Sequence, residues 1–467
     1  MKSELPTATA ARFARPAIAD PQELIFGRAV RPVRCGLGLA VGAGEVYPEL
    51  NFTLPPMTID ARSWPKVRQV YDRLAEAILT RARDLHLDGL VIEFEHLPPM
   101  TECPEGGAEL TALLKDHLRR AADDFGLAAA LRVTIVDLRD HDKPPRRRGG
   151  SAWRRMLASL EACAQAGADI LSIESTGGKE IHDTALTRAD VPAIVFALGV
   201  LAPRDMQWLW SHIVELAARY EVVPGGDTAC GFANTAMQLA HQHMLPDVLA
   251  ALVRALSAPR TLVAHECGAV GPSKDCAYEN PVIKAITGCP VSMEGRSAAC
   301  AHFSPLGNIA AAMADLWSNE SVPDVRLLSG PAPLASLETL VYDCRLFNTA
   351  GARGQARTLR DLHVLSDAAT SAQAYLMTPD ATIALARAIT AEPDRYRRTL
   401  AAGRCALQLL AAGLARGELH LAARERRWLD RLRRDFDALP DSEESLRSQM
   451  EQRYRGAYDP REYGMGA

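Results

Sequence analysis

The sequence predicts an α/β protein built as a (β/α)8 TIM barrel with a helical C-terminal extension. Short apolar runs alternate with amphipathic helical patterns about eight times between residues 33 and 350, and the strand signal stops after residue 355. The runs are rich in Val, Ile and Leu, which is typical of parallel strands buried on both faces. A doubly wound open sheet is the alternative fold, but no G-x-G-x-x-G motif follows the first strand.

The predicted elements divide the chain into three regions. Candidate strands cover residues 35–44, 88–96, 130–138, 169–176, 193–200, 220–227, 260–270 and 324–330. Candidate helices cover residues 64–85, 107–125, 152–167, 205–220 and 233–257, and Pro246 should break or kink the last of these. We expect an N-terminal extension at 1–32, the barrel at 33–355, and a helical region at 356–467 that packs on the barrel or forms an oligomer interface.

Composition narrows the classes of partner and the location. The net charge of −4 over 467 residues gives no argument for nucleic acid or an anionic membrane. We expect the basic runs at 144–150 and 424–434 to be solvated faces. No apolar run reaches the roughly 20 residues that span a bilayer, and the N-terminus lacks the apolar core of a secretory signal. The ten cysteines lack the dense spacing of a disulfide scaffold, so we expect a cytoplasmic protein with reduced thiols.

Polar residues collect at the ends of the predicted strands, which is where barrel enzymes carry their active sites. Carboxylates at one rim repel each other, so such a set indicates a bound cation or a proton-transfer task. The residues concerned are Glu93, Glu95, His96, Asp137, Glu174, Asp227, Thr228, Cys230, His265, Glu266, Cys267, Lys274, Asp275 and Cys276.

Glu174, Cys230 and Cys276 form a candidate metal site at this rim. One carboxylate and two thiolates suit Zn²⁺, with the fourth tetrahedral position left open as in catalytic sites. The chain has no compact ligand motif such as C-x-x-C, so buried or merely reactive thiols are the alternative. His265 and Cys267 are rival ligands, although one of two neighbouring strand residues points away from the barrel axis.

Long stretches of the sequence resemble a known family. They are "GLVIEFEH", "ADILSIESTGGKE", "GGDTACGFANTAM", "SAPRTLVAHECGAVGPSKDCAYENPVIKAITG", "MEGRSAACAH", "DLWSNESV" and "LETLVYDCRLFNTA". In this order they are similar to the zinc-containing methanol:corrinoid methyltransferase subunits of methanol-using methanogens and acetogens. The resemblance runs from about residue 22 to residue 465. It implies a TIM barrel with a helical addition and a zinc ion held by Glu174, Cys230 and Cys276.

The resemblance also implies an activity and partners. The methyl group of methanol would pass to the Co(I) of a corrinoid (cobalamin) carried by a partner protein that docks over the barrel mouth, and we expect a homodimer with one partner on each copy. A nearby acid would protonate the leaving oxygen. The candidates, left unranked, are Asp227, Glu266, Glu95 and Asp137.

Three alternatives stay open at this point. The substrate could be another small methyl donor, such as a methoxylated compound or a methylamine derivative. A zinc-dependent TIM-barrel hydrolase would use the open metal position to activate water. A non-catalytic assembly protein would leave the thiols without metal.

Cys267 stands where we expect a small residue without a thiol in the family, and it is interpreted as a neutral filler.

Overall fold

A computed structural model of the chain describes residues 12–274, 278–295, 305–321, 326–327 and 330–466. The strands are β1 (Arg28–Cys35), β2 (Leu39–Ala43), β3 (Tyr47–Phe52), β4 (Gly89–Glu95), β5 (Ala128–Val136), β6 (Ile170–Glu174), β7 (Val223–Asp227), β8 (Ser292–Glu294), β9 (Leu316–Ser321), β10 (Arg326–Leu327) and β11 (Gly330–Pro331).

The helices surround these strands and fill the C-terminal part of the chain. They are α1 (Trp64–Asp84), α2 (Pro98–Glu102), α3 (Pro104–Phe125), α4 (Gly150–Gln165), α5 (Lys179–Thr187), α6 (Val191–Phe196), α7 (Ala202–Arg219), α8 (Thr235–His241), α9 (Asp247–Cys267), α10 (Asn280–Thr287), α11 (Leu306–Ala311), α12 (Ala332–Ala352), α13 (Ala356–Asp367), α14 (Ala372–Leu376), α15 (Pro379–Ala391), α16 (Arg395–Arg416), α17 (Ala423–Asp437) and α18 (Glu443–Arg453). Two π-helical turns adjoin these helices: Ala197–Leu201 joins α6 to α7, and Cys230–Asn234 precedes α8.

A curled sheet of seven parallel strands, in the order β7-β6-β5-β4-β3-β9-β8, forms the centre of the fold. The irregular segment 270–274 lies between its two edges. The amide of Val270 donates to Pro224 O of β7 at 2.9 Å, and Ser273 forms a parallel bridge with Val291, directly before β8. This segment takes the eighth place in the ring, so the predicted TIM-type barrel is confirmed.

The antiparallel hairpin of β1 and β2 closes the N-terminal end of the barrel. Cys35, Leu39 and Val41 pack there with apolar side chains from the barrel strands, and Leu37 bridges to Ala129 of β5. Alternate residues of each barrel strand face the barrel axis. Beyond this apolar layer, the following inward-facing residues of the same strands lie nearer the carboxyl end of the barrel. That opposite end carries the polar side chains described below.

A buried ion pair lies between this apolar floor and the polar end. Arg132 of β5 donates from Nε to Glu49 Oε1 of β3 at 2.5 Å, and both side chains are fully buried. Arg132 Nη1 also donates to Ser172 Oγ and to Pro272 O, each at 2.9 Å. This arginine therefore fixes the closing segment 270–274 to the middle of the barrel.

Two predicted strands are helical, and those predictions are wrong. Residues 193–200 lie in α6 and the π-helical turn after it, and residues 260–267 form the end of α9. In both stretches nearly every side chain is buried, so the apolar pattern carries no period that separates a strand from a helix. The predicted strand 35–44 falls in the β1–β2 hairpin. The described parts of 324–330 fall in the short β10–β11 hairpin.

Other predictions are confirmed. The candidate strands at 88–96, 130–138, 169–176 and 220–227 are β4 to β7, and the helices between them are present. The expected break at Pro246 is present too: α8 ends at His241, and α9 begins at Asp247. After residue 355 the chain forms helices, and its apolar side chains join the core that surrounds the barrel. In the described parts of the chain, no helix is long and apolar enough to span a membrane.

Candidate active site

Polar side chains meet inside the carboxyl end of the barrel. Inward-facing positions of neighbouring strands contribute Asn51 from β3, Glu93 and Glu95 from β4, Thr134 from β5 and Glu174 from β6. We call this group the mouth cluster, together with Lys274 from the closing segment. Strands of a parallel barrel all end on one side, which is why residues far apart in sequence come together here.

Lys274 is the cation at the centre of the mouth cluster. Its Nζ lies 2.7 Å from Glu93 Oε1, 3.3 Å from Glu95 Oε2 and 3.8 Å from Glu174 Oε1. The lysine side chain is 2% exposed. One ammonium thus faces three carboxylates within the cluster, an arrangement that favours the approach of a further cation.

The three carboxylates differ in access. Glu93 is fully buried and accepts a hydrogen bond from Thr134 Oγ1 at 2.6 Å. The side chains of Glu95 and Glu174 stay 28% and 31% exposed. Asn51 Nδ2 donates to Glu95 Oε2 at 2.7 Å, so one oxygen of Glu95 is held while the group still faces the opening. A small molecule entering the mouth would meet Glu95 and Glu174 first.

Cys230 follows β7, the strand next to β6, and begins a π-helical turn. Such turns occur frequently at functional sites. Asn234 Nδ2 donates to its Sγ at 3.5 Å, and the thiol is partly exposed. The backbone on each side of Cys230 is held by charged groups: Ala229 N donates to Glu279 Oε1 at 2.9 Å, and Lys179 Nζ donates to Gly231 O at 3.1 Å.

Two of the three predicted metal ligands therefore lie at the ends of adjacent strands. The third, Cys276, is outside the described residues, as is Asp275. Across the part of the chain that the structure describes, no group of three His, Cys, Asp or Glu side chains is placed to hold a metal. A carboxylate and a thiolate are donors that zinc accepts, so the chemistry of Glu174 and Cys230 fits the expected ion.

Asp227 is held by several hydrogen bonds and by one arginine. It is fully buried and accepts hydrogen bonds from Trp210 Nε1 at 2.8 Å and from Ser175 N at 3.2 Å, and Arg260 Nη1 lies 3.2 Å away. Thr228 N donates to it as well, at 2.8 Å. Its contacts hold the residues that follow Glu174 and precede Cys230, and they leave it facing the helices outside the barrel.

Asp137 is likewise engaged by arginines. Arg139 donates to both of its oxygens at 2.8 Å, and Thr176 N donates to Oδ2 at 2.9 Å. Burial alone would raise the pKa of Asp137, but the charge and hydrogen bonds of Arg139, with the charge of Arg147, hold that pKa well below its ordinary value. The prediction of a solvated basic run at 144–150 is wrong for Arg147, which is fully buried.

The structure does not place Glu266 at the mouth, so the prediction that it lies there is wrong. Glu266 is near the end of the outer helix α9, and Arg398 Nη1 of α16 lies 2.5 Å from its Oε1. The rival ligands His265 and Cys267 also lie on α9 and not on a barrel strand. His265 contacts Ala269 O and Ser273 Oγ, and Cys267 packs against the outer helix α7 through Ser211.

Asn51 and Thr134 are site residues that the sequence reasoning missed. Asn51 lies on β3, which the apolar pattern did not reveal because Glu49 and Asn51 interrupt it. A signal was present: in "YPELNF" the polar residues Glu49 and Asn51 alternate with apolar ones, the period of a strand. Thr134 stands at an inward position within a run whose apolar residues predict burial on both faces.

A TIM-type barrel with carboxylates, a thiol and a buried lysine at its carboxyl end has the architecture of a barrel enzyme. The family model described as methanol-cobalamin methyltransferase B subunit matches residues 10–464. The methanol–corrinoid protein co-methyltransferase of Methanosarcina barkeri is 36% identical over 462 residues, which cover 97% of this chain and 99% of the relative.

The comparison with solved structures agrees. The crystal structure of the methanol:cobalamin methyltransferase complex MtaBC from Methanosarcina barkeri matches with a TM-score of 0.94 and 36% identity, over 98% of this chain and 100% of the matched chain. The protein belongs to the methanol-cobalamin methyltransferase B subunit family and is a methyltransferase.

Proposed function

We propose that this protein transfers the methyl group of methanol to the Co(I) of a corrinoid carried by a partner protein, and that the reaction is zinc-dependent. The match to the family over residues 10–464 supports the reaction class. The observation that carries the site is the mouth cluster, where Glu95 and Glu174 stay accessible beside a buried lysine, next to the turn that begins at Cys230.

The reaction has a simple balance of atoms and electrons. The methyl carbon takes the electron pair of Co(I), and the C–O bond breaks. The oxygen leaves with the bonding pair and needs one proton in addition to its own to depart as water. The chain must therefore hold the hydroxyl near the methyl acceptor and supply that proton.

We propose Glu174, Cys230 and Cys276 as the residues that hold zinc. One carboxylate and two thiolates are donors that would suit zinc. When bound there, zinc would supply Lewis-acid polarisation of the methanol oxygen. Glu279 supports one of these positions: its Oε1 accepts a hydrogen bond from Ala229 N, beside Cys230.

Glu95 is the proposed proton donor among the four carboxylates that the sequence left unranked. Asp137, Asp227 and Glu266 are each buried against arginines. Glu95 instead faces the opening, and Asn51 and Lys274 hold its Oε2 from the other side. These two neighbours fix the carboxyl orientation, so that the protonated form of Glu95 can deliver its proton to the oxygen that leaves.

The test is spectroscopic. The zinc-loaded chain is mixed anaerobically with free cob(I)alamin and methanol, and the loss of the Co(I) absorption is followed. We expect methylcob(III)alamin to form, and to form faster than without the protein. A panel with a methoxylated compound and a methylamine is run in parallel. Turnover with one of these but not with methanol would overturn methanol as the substrate. No turnover with any donor, either with cob(I)alamin or with a corrinoid protein, would overturn the proposal.

We further propose a homodimer in the cytoplasm, with one corrinoid-binding partner on each copy. Helices α12 and α13 expose Tyr342, Leu346, Leu362 and Leu365, an apolar set that a second copy could cover. Light scattering should give about twice the mass of one chain. A monomeric parent protein would contradict the dimer. If the parent is dimeric, an unchanged mass after Leu362→Glu with Leu365→Glu would show that this face is not the interface.

A further inference from the structure

The last residues of the chain fold back onto the barrel. A 3-10 turn at Pro460–Tyr463 follows α18, and the Tyr463 side chain at its end is 1% exposed. The hydroxyl of Tyr463 accepts from Gly178 N at 2.9 Å and from Arg147 Nε at 3.2 Å, and it donates to Glu180 Oε1 at 2.5 Å. Two accepted bonds and one donated bond use the full capacity of a phenol.

Two of these contacts are with the segment that follows Glu174, and the third is with Arg147, which binds the same segment. Glu174 ends β6, and Gly178 and Glu180 follow it within six residues. Arg147, held by Tyr463, donates to Thr176 Oγ1 at 2.8 Å and to Glu180 Oε2 at 2.9 Å. Every second residue after Glu174 is therefore hydrogen-bonded to Tyr463 or to Arg147. These residues are Thr176, Gly178 and Glu180.

Helix α5, which follows this segment, contacts the turn that begins at Cys230. Lys179, the first residue of α5, is bound by Asp183 at 2.8 Å and donates to Gly231 O at 3.1 Å. His182 on the same helix packs its ring against Phe232 in the π-helical turn, with centroids 5.0 Å apart. A displacement at the start of α5 would thus move the turn that begins at Cys230 as well as the loop after Glu174.

We propose that Tyr463 is a positioning residue for the metal centre: the C-terminal segment fixes the loop between Glu174 and α5, and through α5 the turn at Cys230. This inference rests on the proposed zinc site. Groups that orient metal ligands through hydrogen bonds typically change metal affinity about 10–100-fold when they are removed. The C-terminal segment is then part of the active centre, although it is almost three hundred residues from Glu174 in sequence.

The same segment offers a matched control. Tyr458 is also buried, its ring lies 6.1 Å from that of Tyr463, and no hydrogen-bond partner of its hydroxyl is found within the described residues. Tyr463→Phe and Tyr458→Phe therefore remove the same atom from the same part of the fold. The first removes three hydrogen bonds, two with Gly178 and Glu180 and one with Arg147, and the second removes none of these.

The experiment measures zinc affinity by competition with a chromogenic chelator, and the exchange of backbone amides at 176–180 by mass spectrometry, for the parent chain and both variants. Circular dichroism and the thermal midpoint show that each variant is folded. We expect Tyr463→Phe to bind zinc about 10-fold more weakly and to exchange these amides faster. Tyr458→Phe should match the parent in both measurements.

The outcomes separate the two proposals. If Tyr463→Phe is folded and matches the parent in zinc affinity and amide exchange, the positioning role is overturned. If both variants lose zinc affinity equally, the effect is general stability, and the positioning role is again overturned. If the parent chain itself binds no zinc, the proposed metal site fails. The amide exchange then still shows whether Tyr463 holds the loop after Glu174.

Discussion

Lys274 and Glu93 form a buried ion pair at the barrel mouth, with 2.7 Å between Nζ and Oε1 and side-chain exposures of 2% and 0%. The pair joins the closing segment 270–274 to β4, on the opposite side of the ring of strands. Glu95 and Glu174 lie within 4 Å of the same ammonium group. The Lys274 ammonium group therefore has two roles: it pairs with the carboxylates of the mouth cluster, and it links the closing segment 270–274 to β4 across the barrel.

Replacement of Lys274 by Met should lower the free energy of unfolding by about 3–5 kcal/mol, because Glu93 would remain buried without its cation. Urea unfolding, followed by far-ultraviolet circular dichroism, measures this. The double variant Glu93→Gln with Lys274→Met is the control. It removes both charges of the pair and should recover part of the loss. A Lys274→Met protein as stable as the parent would show that the pair contributes little to the fold.

Replacement of Glu95 by Gln tests the proposed proton donor. The amide keeps the size of the side chain but cannot give up a proton in the same way. We expect the rate of methylcob(III)alamin formation to fall about 10²–10⁴-fold, as for other general acids, while zinc content stays unchanged. Glu266→Gln is the matched control, and it should keep the parent rate because Glu266 lies on an outer helix against Arg398. Equal rates for both variants would remove Glu95 from the mechanism.

The sequence predicted the barrel and much of its rim for physical reasons. Strands β4, β5 and β6 are short runs that contain Val or Ile, so the sequence marks them as strands. Residues 193–200 and 260–267 were assigned wrongly because a segment buried on all sides shows no amphipathic period. For the same reason the sequence predicts Glu266 at the end of a strand, whereas the structure has it in helix α9.

The support of the site was not visible in the sequence. The basic run at 144–150 predicts a solvated Arg147, since arginines are rarely buried without partners. Its partners Tyr463 and Glu180 are distant in sequence, so their contact follows from the folded chain alone. Asn51 was missed for a related reason: barrel strands with polar inner faces look like loops when an apolar run is the criterion.

Serine in place of Cys230 or Cys276, or glutamine in place of Glu174, should remove zinc from the protein together with methyl transfer. Each change replaces an anionic ligand by a weaker neutral one. Metal analysis of protein purified without chelator should give about one zinc per parent chain and little for these variants.

Cys267→Ser is the matched control for this series. Its thiol packs against Ser211 and the backbone of the outer helix α7, so zinc content and rate should match those of the parent. Loss of zinc in Cys267→Ser, with retention in Cys230→Ser, would reassign the ligand.

Asp137 should make stability depend on pH in one direction. Its folded pKa is lowered, because Arg139 and Arg147 outweigh the effect of burial, and its unfolded pKa is about 3.9. A carboxyl with a lowered folded pKa stabilises the fold above its unfolded pKa, and this contribution is lost as the pH falls toward the folded value. The parent should therefore exceed Asp137→Asn in unfolding free energy by a constant amount above about pH 5, and this difference should shrink below about pH 4. Urea unfolding over a pH series measures it, with Asp123→Asn, at an exposed position of α3, as the control with a small difference throughout. A difference between parent and Asp137→Asn that is the same at every pH would contradict the charge-based account of Asp137.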